Sequence, residues 1–98
     1  MIVMLTQDLS RGFAPWKKMY FGNKAHLNAL GARLVFAGAR KDDDNKMIVL
    51  IDFDSPEAMK AFAGDEALKA KRAAAGPILE SNVLTMMGDE SFSGQVLN

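Results

Sequence analysis

One histidine and one misplaced acid are the side chains of this sequence whose types best suit chemistry. His26 is the only histidine. Its ordinary pKa lies near physiological pH, so it could serve as a general base or as a ligand. Asp52 stands where the parity of Ile48 and Leu50 calls for an apolar residue. On an interior face, desolvation would raise its pKa and suit it to general acid or base work. Each also has a reading without chemistry. His26 lies at the edge of an amphipathic stripe and can sit half in water. Asp52 lies beside Asp54 and can be a strand end already in solvent. If either removes a proton from a bound apolar substrate, Tyr20 or Asn23 would donate to the resulting anion.

Three further residues could bind a ligand. Trp16 and Tyr20 are one helical turn apart and either wall a pocket for a planar molecule or pack a helix onto the core. Asn23 falls at the centre of the same stripe, where a buried amide needs partners. Either it faces a polar pocket, or Gly22-Asn23 breaks the helix and Asn23 caps its second half. These groups place the expected pocket between the first helix and the sheet, near the ends of strands one and three.

Other combinations lead away from metals and cofactors. The run Asp42-Asp43-Asp44-Asn45 lacks the alternating ligands, central Gly and distal Glu of an EF-hand, so it reads as a solvated turn. There is no cysteine, which excludes disulfides, iron–sulfur clusters, zinc ribbons and thiol nucleophiles. A lone histidine argues against structural zinc, and nothing accompanies His26 to support haem. No cofactor and no metal are expected. Lys69, Lys71 and Arg72 form a small basic cluster, expected to face solvent and to be balanced by Asp65 and Glu66.

The elements that must position these residues follow from periodicity. Ile2 to Gln7 is a first strand. Pro15 suits the first turn of a helix, and Trp16, Met19, Tyr20, Leu27 and Leu30 fall on one face of it. Gly31 ends that helix. Arg33 to Ala39 and Met47 to Phe53 are two strands joined by the polar turn Arg40 to Lys46. Ser55-Pro56-Glu57 starts a second helix with a capping hydroxyl, a proline and an acid. Gly64-Asp65 allows a break in it before Leu68 to Ala75, and Gly76-Pro77 stops it. Val83 to Met87 is the last strand. The chain reads as one α+β domain over residues 1–87, with a tail over 88–98. The order βαββαβ predicts a ferredoxin-like four-stranded antiparallel sheet with two helices on one face.

That sheet needs a second cover. In the third strand Met47, Val49, Ile51 and Phe53 share one parity, while Ile48 and Leu50 share the other. Ile2 and Met4 oppose Val3 and Leu5, and Val83 and Met87 oppose Leu84 and Met86. Two helices cover one face only, so the other would be a large apolar patch unless a partner met it. At ~25 cal/mol per Å², burying a few hundred Å² favours association by several kcal/mol before entropic costs. A homodimer is expected.

Phe53-Asp54-Ser55-Pro56-Glu57-Ala58-Met59-Lys60-Ala61-Phe62 resembles the strand-to-helix segment of the dimeric α/β-barrel superfamily. An aromatic ends the third strand there, Ser-x-Glu-Ala follows, and a second aromatic closes the first helical turns. Ala75-Gly76 before the last strand is similar too. The resemblance implies two ferredoxin-like units whose sheets face each other as a barrel. Among the superfamily are cofactor-free monooxygenases of the antibiotic-biosynthesis type and isomerases. The motif is one of capping and packing, so it carries no catalytic residue over to this chain.

Composition narrows the partners. The 98 residues carry zero formal net charge, which argues against nucleic acid. The third strand, Lys46 to Phe53, has aliphatics where an RNA-binding sheet of this topology stacks aromatic rings. No apolar run approaches the ~20 residues of a membrane span, and Met1 to Leu5 is too short for a signal peptide. A cytoplasmic setting is expected. Two functions stay open. One is a homodimer that binds a small hydrophobic molecule in a helix–sheet or barrel cavity. The other is a cofactor-independent monooxygenase or isomerase acting on a small aromatic or quinol-like substrate.

Overall fold

The computed structural model describes residues 1–92; part of the expected tail, residues 93–98, lies outside the described residues. The elements are β1 (Ile2–Leu9), α1 (Phe13–Ala29), β2 (Ala32–Ala39), β3 (Lys46–Phe53), α2 (Pro56–Gly64), α3 (Glu66–Ala74) and β4 (Pro77–Met86). They form one antiparallel sheet in the order β2-β3-β1-β4, with three helices. This is the ferredoxin-like βαββαβ arrangement, with the second helix divided in two. The division falls at Asp65. Its extended backbone ends α2, and its side chain accepts from the Leu68 amide at 2.9 Å to cap α3. Ser55 does the same for α2, its Oγ accepting from the Ala58 amide at 3.1 Å.

Helix α1 is capped from a distance. Its N-cap, Gly12, has no side chain to offer and sits at φ 80°. Asp44 Oδ2 accepts from the Phe13 amide at 2.9 Å, and Asn45 Oδ1 accepts from the Gly12 amide at 2.8 Å. The acidic turn between β2 and β3 is thus the cap of α1 rather than a purely solvated loop. Helix α1 is also continuous through Gly22-Asn23, which decides against a break there.

Strand β4 begins at Pro77, well before the expected Val83. Ser81 and Asn82, outside the expected strand, belong to a bulge. Leu9 pairs with Pro77 and Asp8 with Ile78, and pairing then resumes at Thr6 with Val83. Residues 79–82 therefore stand opposite Gln7 alone. Asn82 Oδ1 accepts from Gln7 Nε2, and Ser81 Oγ accepts from the Asp8 amide at 2.8 Å, which satisfies polar groups that the ladder leaves open.

Strand parity divides the two faces. Val3, Leu5, Gln7 and Leu9 of β1, with Met47, Val49 and Phe53 of β3, are buried beneath the helices. Facing away from them, cross-strand rows run Phe36–Leu50–Met4–Thr85 and Gly38–Ile48–Thr6–Val83. At the two ends of this helix-free face the charges are already paired across strands. Lys46 Nζ lies 2.8 Å from Asp8 Oδ1, and Arg33 reaches Asp52 at 3.5 Å. What remains between the ends is apolar apart from Thr6 and Thr85, with Phe36 53 % exposed. The outer end of β4 is uncovered on both faces, since Leu84 and Met86 on the helix side are 64 % and 57 % exposed.

Candidate functional site

Periodicity on three elements builds a cavity between α1, α3 and the sheet. On α1, Trp16, Met19, Tyr20 and Leu27 recur at helical spacing and turn inward. Leu5 and Gln7 of β1, Val49 and Ile51 of β3, and Ala32 and Leu34 of β2 supply the floor. Leu68 and Arg72, four residues apart on one face of α3, close it together with Phe62 of α2. The space between these walls is about 530 Å³ when its solvent-open part is included. Small-molecule sites are lined in this way, apolar with a few polar groups. Here the polar groups are Gln7, Tyr20 and Arg72.

The walls are aromatic. Phe13, Trp16 and Tyr20 stack along α1, with the Trp16 and Tyr20 rings 5.9 Å apart and 9° from parallel. Burial pushes the Tyr20 phenol above its ordinary pKa, so it stays a neutral donor. Gln7 is only 4 % exposed and is fixed by Asn82. The Arg72 guanidinium lies over the Phe62 ring, 4.7 Å from its centroid. Desolvation lowers its pKa, opposed in part by the charge of Asp65.

The remaining expected site residues lie elsewhere. His26 is 50 % exposed on the outer side of α1, its Nε2 2.6 Å from Asp65 Oδ2. Asp65 is held below the usual carboxylate range by the Leu68 amide first and by His26 second. Asn23 donates to the Met19 carbonyl at 2.8 Å and accepts from Lys71 Nζ at 3.2 Å, so its amide is satisfied outside the cavity wall. Asp52 is on the opposite, helix-free face. The Met1 ammonium donates to its Oδ1 at 3.0 Å. That hydrogen bond, with the charges of Met1 and Arg33, outweighs desolvation and lowers the Asp52 pKa. Of the two readings of Asp52, the one with a raised pKa does not hold: Asp52 is a stabilised anion and a weak base. His26 and Asp52 do not meet, and neither lines the cavity.

Sequence reasoning missed Gln7 and Arg72. Gln7 was within reach, because it shares the parity of Val3, Leu5 and Leu9. Arg72 was placed in solvent with Lys69 and Lys71, but its spacing of four from Leu68 turns it inward.

No protein-family model matches the sequence, and no curated protein matches it significantly. Solved structures do resemble the fold. A crystal structure of an antibiotic biosynthesis monooxygenase superposes with a TM-score of 0.65 at 10 % identity, covering 93 % of this chain and 100 % of that one. A NIPSNAP domain protein from Burkholderia xenovorans gives a TM-score of 0.56 at 18 % identity, over 95 % of this chain and 100 % of that one. The chain shares the ferredoxin-like fold of both.

Proposed function

We propose that this chain binds a small apolar molecule in the cavity between α1, α3 and the sheet, and that it works as a homodimer. The observation that carries the reading is the composition of the cavity wall. Thirteen of the described residues line it, and three of them, Gln7, Tyr20 and Arg72, are polar. Gln7 is held by Asn82, but an interior packed for stability alone has little use for Tyr20 and Arg72 beside it around a void. The dimer rests on the apolar rows of the helix-free face, whose charged ends are already paired. Two such faces covering each other would give an α/β barrel and would bury Phe36, Ile48 and Val83. The absence of cysteine supports a cytoplasmic setting, and among the described residues no helix is long and apolar enough to cross a membrane.

A second reading is turnover of a small aromatic or quinol-like substrate without a cofactor. The likeness to an antibiotic biosynthesis monooxygenase structure and the Tyr20 phenol favour it. Against it, among the described residues no Asp, Glu, His or Lys lines the cavity to take a proton. Native mass spectrometry of gently purified protein tests the main reading. Twice the chain mass with a small molecule retained supports it; a bare monomer opposes it. Oxygen consumption with a quinol would move the balance to the second reading.

A further inference from the structure

Among the described residues, Arg72 Nε is the one buried side-chain polar atom without a hydrogen-bond partner. Nor does any carboxylate of those residues lie within ion-pair distance of the Arg72 guanidinium. Asp65, whose charge it feels, is already engaged by His26 and by the Leu68 amide. A partly desolvated guanidinium with one buried, unpaired N–H costs free energy that an apolar side chain of similar length would not. Stacking on Phe62 offsets only part of that cost. Arg72 lines the cavity, whose other walls are aromatic and aliphatic apart from Gln7.

We propose that Arg72 anchors the anionic group of the cavity's ligand, and that the ligand is a flat apolar carboxylate. This rests on the small-molecule reading of the cavity and narrows its ligand class. The guanidinium is a planar fork of N–H donors matched to the two oxygens of a carboxylate. Trp16 and Tyr20, stacked on each other in the cavity wall, give the ligand's body aromatic contacts. A neutral hydrocarbon in the same place leaves Nε unpaired, so the site discriminates by charge as well as by shape.

Calorimetric titration with 2-naphthoate and with 2-naphthylmethanol, its neutral counterpart, tests the assignment on the parent protein, Arg72→Met and Arg72→Lys. The parent should bind the carboxylate at least about tenfold more tightly than the alcohol, the effect of one charge-assisted pair. Arg72→Met should lose that preference while retaining the alcohol. Its ligand-free form should melt no lower than the parent, because an unpaired buried charge has gone. Arg72→Lys keeps the charge without the fork and should bind naphthoate several-fold more weakly than the parent. Equal affinity of the parent for both probes, or unchanged naphthoate affinity in either variant, overturns the anchor and leaves the cavity reading standing. An Arg72→Met protein that fails to fold also overturns it, by making Arg72 structural. If neither probe binds the parent, both readings fall.

Discussion

Asp52 is held as an anion by the Met1 ammonium and by Arg33, so its folded pKa lies below its unfolded one. The stabilisation is present above the unfolded value, about 3.9 for aspartate, and is lost as pH falls through the folded pKa. Asp52→Asn should therefore lower stability at neutral pH, with the deficit shrinking in acid. Urea denaturation of both proteins across pH 7 to about pH 2 checks this; a constant difference would mean the carboxylate is not coupled to folding. Trp16 and Tyr20 were legible as an inward pair because a helical stripe depends on spacing alone. The surroundings of Asp52 were not, because they depend on a contact fifty-one positions away. Desolvation was correctly identified as a force on it; the opposing ammonium was invisible to parity.

Caps decide where the helices stop and start. Removing the Ser55 hydroxyl in Ser55→Ala leaves the Ala58 amide without its partner and should cost about 1 kcal/mol, measured by thermal or chemical unfolding. No loss would show that water replaces the cap. Helix α1 depends instead on the β2–β3 turn. Asp44→Ala should fray its first turn, exposing Phe13 and accelerating amide exchange there, while α3 is untouched. Element order and most boundaries were legible, since Ser-Pro-Glu, Gly-Pro and short apolar strand runs act locally. The start of β4 was not. A bulge places polar residues inside a strand, and only the pairing with β1 distinguishes Ser81 and Asn82 from a turn.

At the scale of the whole molecule, two surfaces carry the account, the cavity wall and the helix-free face. Leu50 lies in the centre of that face, flanked across strands by Phe36 and Met4. Leu50→Lys would bury an unpaired charge in the proposed interface and should shift the protein from dimer to monomer in light scattering, or unfold it. A parent that is already monomeric at micromolar concentration would contradict the interface outright. The central claim is that the helix–sheet cavity accepts a small apolar molecule, and the protein carries its own reporter. Trp16 is the only tryptophan, and its ring forms part of the cavity wall. Its indole ¹H–¹⁵N resonance should shift saturably as 2-naphthylmethanol is titrated in, together with the amides of Leu68 and Val49. An indole resonance that stays fixed, while only amides of the helix-free face move, would contradict it.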